Sequence, residues 1–155
     1  MSEMKIIEVV AAVIKFKNNF FCVQRGEHKY DYLSYKFEFP GGKLENNETP
    51  KEALIREIRE ELDYSIKVGK KLVTVDHQYP HFQLIMSAYL CHVSDTNFVL
   101  KEHVQYKWLE RKRLIELDWA AADIPIVQML VDTDLNNKPV GILNPSKVIK
   151  VLFGK

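Results

Sequence analysis

The chain has 155 residues, of which 46% are hydrophobic and 28% charged, a length and balance that suit one compact domain. Its 22 Lys and Arg nearly cancel its 21 Asp and Glu, which excludes a broad basic face for a nucleic-acid polymer and a polybasic membrane anchor. A small anionic ligand remains open, since it needs only a few local charges and a metal. No apolar run approaches the ~20 residues that span a bilayer, and MSEMKIIEVV offers neither an n-region nor a cleavage site. Cys22 and Cys91 lie in the apolar runs FFCV and AYLCHV and read as reduced core residues, so a cytoplasmic protein is expected.

In chain order, Ile6–Phe16 is rich in β-branched residues and is predicted as a strand. Asn18-Asn19 is a turn signal before a second strand, Phe20–Gln24, giving a hairpin. A polar loop follows with Tyr30, Tyr32 and Tyr35, then a short strand Phe37–Phe39 stopped by Pro40-Gly41-Gly42. The clearest helix begins at Thr49, an N-cap, with Pro50 at its first position and Glu52 completing a capping box. Leu54, Ile58 and Leu62 form its buried stripe, and it should end near Asp63. Lys70–Asp76, Phe82–Val93 and Val104–Leu109 are predicted strands, the second nearly all apolar and therefore central. Asp123 can N-cap a second helix with Pro125 in its first turn. The tail, residues 133–155, is assigned no structure, although VIKVLF could form an edge strand or a contact in a homodimer; the chain could equally be a monomer. The class is α+β, a mixed sheet with two principal helices in a single domain over residues 1–155.

Glu57, Glu60 and Glu61 recur at i, i+3 and i+4, which puts three carboxylates on one helix face, opposite the apolar stripe. Like charges at that spacing repel by about 0.2–0.5 kcal/mol per pair, a penalty that a shared hard cation such as Mg²⁺, Mn²⁺ or Ca²⁺ would remove. Glu52, Arg56 and Glu60 also fit a solvated salt-bridge ladder, so helix charge alone leaves both readings open. The preceding Gly41-Gly42 allows a plain turn or a close approach to a ligand, with the Gly41 carbonyl able to reach a metal and Lys43 adding a positive charge. His77, His81 and His103 share no tight ligand spacing and read as sheet or loop residues, with His81 able to lie at a pocket mouth.

Together these residues resemble the Nudix hydrolase family. Its box is a glycine, five residues, a glutamate, seven residues, then Arg-Glu-apolar-any-Glu-Glu-any-Gly-apolar. GKLENNETPKEALIREIREELDY, Gly42 through Tyr64, keeps Gly42, Glu48, Arg56, Glu57, Ile58, Glu60, Glu61 and Tyr64 in register. Asp63 replaces the last glycine, where a left-handed helix end is expected; aspartate tolerates that better than most residues, at a modest stability cost. EFPGGKLE, EH followed by Tyr-any-Trp-Leu at Glu102–Leu109, and LDWAAADIPIV at Leu117–Val127 extend the resemblance to the MutT-type branch over about Ile6 to Val131.

The resemblance implies an α/β/α sandwich and Mg²⁺-dependent hydrolysis of (deoxy)nucleoside triphosphates, often damaged or modified ones, to a monophosphate and pyrophosphate, with Mn²⁺ as a substitute ion. It implies that Glu57, Glu60, Glu61 and the Gly41 carbonyl ligate the metal, that Arg56 orients a glutamate, and that Glu48 supports or joins the site. Glu102 matches an acidic position that binds metal through water or helps deprotonate the attacking water, or else is a surface glutamate. Asp123 matches a base-contacting position, where an ionised carboxylate would accept hydrogen bonds; Phe39 and Arg25 fall near the base, and Lys43 near a phosphate. Trp119 and the loop tyrosines could stack on a base, though packing roles are open for each. The alternatives are hydrolysis of another nucleoside diphosphate derivative, such as ADP-ribose or a dinucleoside polyphosphate, and a non-catalytic nucleotide-sensing module.

Overall fold

The structure is a computed structural model and describes residues 4–132. The 133–155 tail, with its VIKVLF segment, lies outside the described residues. Strand β1, Lys5–Phe16, is the axis of the fold, because its side chains alternate between two cores as an extended backbone requires. Val10, Ala12 and Ile14 pack on one face against the first helix, and Ala11 and Val13 on the other with the second helix. That is the α/β/α sandwich.

β2, Asn19–Gln24, returns antiparallel to β1. Asn19 already pairs with Phe16, so the turn sits one residue earlier than expected, with Lys17 taking the left-handed conformation at φ 54°. β3, Phe37–Glu38, pairs with β2. β4, Gly41–Lys43, pairs antiparallel with Val9–Ala11 of β1, so the expected stop at Pro40-Gly41-Gly42 is in fact a strand. Glycine is needed for it: a Cβ on Gly41 would stand 1.9 Å from the Val10 carbonyl oxygen.

β5, Lys67–Gln78, and β6, Phe82–His92, form a long antiparallel hairpin, and β6 runs parallel to β1 from Lys5↔Phe82 to Lys15↔His92. β7, Gln105–Glu110, pairs with β2. The main order is β3-β2-β1-β6-β5, mixed in direction, and β6 is interior as its apolar sequence predicts. Among the described residues no helix is long and apolar enough to cross a membrane.

Helix α1, Pro50–Leu62, starts with the predicted capping box: the Glu52 amide donates to the Thr49 hydroxyl, and the Thr49 amide donates to the Glu52 carboxylate. Leu54, Ile58 and Leu62 are fully buried, each contributing roughly 1.5–3 kcal/mol. The helix ends on Asp63 in the left-handed conformation, φ 50° and ψ 44°. α2, Ile124–Asp132, is entered differently from the expectation: Ala121–Asp123 is a 3₁₀ turn that leads into it, so Asp123 is not an N-cap. Its carboxylate turns instead to the Phe39 amide across the fold.

A left-handed backbone costs an L-residue about 1–2 kcal/mol, less for aspartate. Asp63→Gly should therefore raise the melting temperature by about 2–4 °C for a domain of this size, measured by thermal unfolding; an unchanged or lower value would show that the Asp63 side chain compensates.

Candidate active site

α1 presents its acids beside the apolar stripe rather than opposite it. Glu61 is buried at 8% exposure and the Glu57 side chain is 15% exposed, whereas Glu60 points outward at 58%. The cause is helical geometry: Glu57 and Glu61, four residues apart, lie on the flank that meets β4, and Glu61 falls close to the line of Leu54. Gly42 makes this flank possible. A Cβ there would sit 2.3 Å from the Glu57 carboxyl carbon, so the Glu57 carboxylate occupies the space a side chain would fill.

One guanidinium organises these acids. Arg56 donates to Glu48 through Nε at 2.6 Å and Nη2 at 3.0 Å, to Glu57 through Nη1 at 2.9 Å, more weakly to Glu60 at 3.4 Å, and to the Lys43 carbonyl at 3.2 Å. Glu48 is thereby occupied as a support, and Arg56 holds its carboxyl below the usual range. Glu61 faces the opposite condition. Burial, its hydrogen bond and repulsion with Glu57, and the charges of Glu102 and Glu38 push its carboxyl up to about 9.

Among the described residues no group of three or more acidic, histidine or cysteine side chains is gathered closely enough to enclose a metal ion. The close pair is Glu57 and Glu61, with Glu60 turned outward toward Arg56. The pair nevertheless fits a hard divalent cation. Its donors are carboxylate oxygens, Glu61 is buried without a basic partner among the described residues, and a cation between them would relieve the repulsion that raises Glu61.

Gly41 and Gly42 also line one end of a cavity of about 130 Å³. Its walls include Leu33, Leu84 and Met86, and its polar groups are Arg25, Glu38 and Asp123. Phe39 lines it too and stacks on Trp119, ring centroids 4.7 Å apart. Asp123 is fully buried and accepts from the Phe39 amide at 2.9 Å. Burial first, then the nearby charge of Glu38, pushes its carboxyl well above the usual range. This disfavours the ionised acceptor expected from sequence and favours the neutral acid, which has a hydroxyl to donate.

Sequence reasoning missed Glu38. It is bound by Arg25 at 2.7 Å and by His103 at 3.0 Å, and lines the cavity. Its sequence signals were its place between Phe37 and Phe39 on a short strand and at the head of the EFPGGKLE segment. Lys43 and Glu102 are exposed and lie outside the cavity lining, although Glu102 is near enough to act on Glu61. Tyr30, Tyr32, Tyr79 and His81 form a stack of rings, and the Tyr32 hydroxyl bonds the His81 Nδ1 at 2.8 Å. Tyr79 belongs to the cavity wall; His81 is one ring removed from it. Trp119 donates to the Leu114 carbonyl, so its polar edge is spent on packing.

Two outcomes follow from this geometry. Gly42→Ala should displace Glu57 and remove most of the thermal stabilisation that a divalent cation confers, while the cation-free melting temperature changes less; retention of the cation effect would show that Glu57 does not hold it. For Glu61, the folded chain binds the proton more tightly than the unfolded one. The resulting stability is complete below the ordinary carboxylate pKa of about 4.3 and is lost as pH rises through about 9. In EDTA, wild type should therefore lose stability relative to Glu61→Gln between pH 6 and pH 8, and a divalent cation should narrow that gap; thermal unfolding of both proteins reads it.

Comparison with known proteins gives the family. The NUDIX domain pattern matches residues 9–129. The chain is 35% identical over 127 residues to the CTP pyrophosphohydrolase of Escherichia coli K12, covering 81% of this chain and 91% of that protein. It is 40% identical over 91 residues to the 8-oxo-dGTP diphosphatase of Proteus vulgaris, covering 58% and 80%. The solution structure of the MutT protein from methicillin-resistant Staphylococcus aureus 252 superposes with a TM-score of 0.66 at 40% identity, covering 83% of this chain and 98% of that one. A cavity bounded by a glycine strand and by an acidic helix in the Nudix register, within a matching fold, leads to one assignment: the chain belongs to the Nudix hydrolase family, on its MutT-type branch.

Proposed function

We propose that this protein hydrolyses nucleoside triphosphates, including damaged or modified ones, to a nucleoside monophosphate and pyrophosphate. Nudix hydrolases generally use divalent metal ions and act on small nucleotides, and here Mg²⁺ is the proposed ion, with Mn²⁺ able to replace it. The observation that carries the reading is that Gly41 and Gly42 join two sites. They line the same cavity as Asp123, and Gly42 packs against the Glu57 carboxylate. A base held near Asp123 would thus extend its phosphates along β4 toward α1. The names of the relatives support the substrate class, since one is a pyrophosphohydrolase of CTP and another a diphosphatase of 8-oxo-dGTP.

Glu57, Glu60, Glu61 and the Gly41 carbonyl would hold the metal. When bound, it supplies charge neutralisation for the phosphates and a more acidic water. Arg56 fixes Glu57 in place and keeps Glu48 from competing for the cation. Glu102, whose charge acts on Glu61, would take the proton of the attacking water. Lys43 would meet a phosphate oxygen. Phe39 and Arg25 would bound the base, and Asp123 as a neutral acid would donate to a base acceptor such as a ring nitrogen or carbonyl oxygen.

The test is a panel of normal and modified nucleoside triphosphates with Mg²⁺, scoring pyrophosphate against phosphate. Pyrophosphate should form, and Glu60→Gln should lower kcat by about 100- to 1000-fold, the loss of several kcal/mol expected from a metal ligand. Release of phosphate alone would move the attack to another phosphorus. Nucleotide binding without turnover would favour a sensing module.

A further inference from the structure

Glu102 lies in residues 93–104, which join β6 to β7 without any regular element. It is exposed, yet its charge reaches Glu61. Something must keep this stretch against the end of α1. The Val99 amide donates to the Leu62 carbonyl at 2.8 Å, the Lys101 amide to the Glu61 carbonyl at 3.2 Å, and the Val104 amide to the Gln24 carbonyl at 2.9 Å. These are backbone bonds that any residue could make. Farther back in the segment, the Tyr64 hydroxyl donates to the Asp95 carbonyl and Phe98 packs on Phe21 and Tyr64; next to Glu102 the side-chain tie is His103, whose Nε2 meets Glu38 Oε2 at 3.0 Å.

That tie is unusually well determined. The His103 side chain is 6% exposed, and its Nδ1 is buried without a hydrogen-bond partner among the described residues, so a single bond sets the ring. Glu38 is itself fixed by Arg25 through its other oxygen at 2.7 Å. Burial acts to raise the Glu38 carboxyl, but His103 and Arg25 outweigh it and hold the group below the usual range. An ionised Glu38 accepts from both neighbours, so Nε2 is the protonated nitrogen of His103. A buried hydrogen bond to a charged carboxylate specifies geometry more dependably than it adds stability.

We propose that His103 is a positioning residue for Glu102. By anchoring on Glu38, it holds the adjacent glutamate toward the carboxylates of α1. This rests on the role proposed above for Glu102, which acts on the water while His103 touches neither water nor substrate.

The experiment combines steady-state kinetics on a nucleoside triphosphate with Mg²⁺ and amide hydrogen exchange, for His103→Phe, His103→Gln, Glu102→Gln and the His103→Phe/Glu102→Gln pair. His103→Phe fills the space without a donor and should lower kcat by about ten-fold or more, as small misplacements of a reacting group do, with KM little changed. His103→Gln offers an amide N–H to Glu38 and should recover most of the loss. In the Glu102→Gln background the Phe substitution should add nothing. The Lys101 and Val104 amides should exchange faster in His103→Phe while the amides of α1 keep their protection. The proposal is overturned if kcat is unchanged, if the two losses multiply in the double variant, if Glu102→Gln is fully active, or if exchange at Lys101 and Val104 is unaltered. Should the Phe variant not fold, His103→Met, similar in length and without an N–H, carries the same comparison. A wild type without turnover would overturn the proposed function instead, and the exchange measurement would still decide the anchoring.

Discussion

Four acidic side chains, Glu45 and Glu48 before α1 and Glu57 and Glu60 in its second half, surround the Arg56 guanidinium, which is what allows them to coexist. Its planar fork engages Glu48 through two nitrogens and Glu57 through a third, while reaching the Lys43 carbonyl of β4. A lysine could satisfy one of these partners but could not span helix, loop and strand from one point. The side chain is 24% exposed, so solvent weakens the net stabilisation of each pair. Its main effect is orientation: it decides which glutamates are engaged and which are left for a cation.

The consequence is a division of labour along one helix. Glu48 is spent on Arg56, Glu57 is shared between Arg56 and Glu61, and Glu61 is buried with no cation of its own. Gly42 permits this by yielding its side-chain volume to the Glu57 carboxylate. The neighbouring Gly41 lets β4 lie close on β1, which brings the acidic flank of α1 to the end of the cavity. Backbone bulk at either position would separate the two sites.

A chain of acids runs through the interior from Glu61 past Glu38 to Asp123, each raising the cost of charging the next. Buried carboxylates are expensive unless paired, and among the described residues only the middle one of the three has basic side chains against it, Arg25 and His103. Glu61 and Asp123 at the two ends are left favouring their protonated forms. This contrast gives each end a distinct chemistry: a divalent cation would relieve the α1 end, and Asp123 as a neutral acid can donate a hydrogen bond. Glu38 sits between them and binds the segment that carries Glu102.

What the sequence by itself determined is what local spacing encodes. The capping box at Thr49 and the stripe Leu54–Ile58–Leu62 were legible because helical period and cap chemistry act within a few residues, and the resemblance of Gly42 through Tyr64 to the Nudix box supplied the left-handed end at Asp63 and the register of the acids. The apolar run of β6 announced an interior strand for the same reason. Only the tertiary structure decided that Gly41-Gly42 is a strand, that Glu61 is buried while Glu60 is not, and that Asp123 serves Phe39 instead of capping α2. It also found Glu38, whose partners lie 13 and 65 residues away in the chain. Sheet register and the packing of α1 on β1 create those contacts, and no periodicity in a single strand or helix records which distant residue will stand opposite.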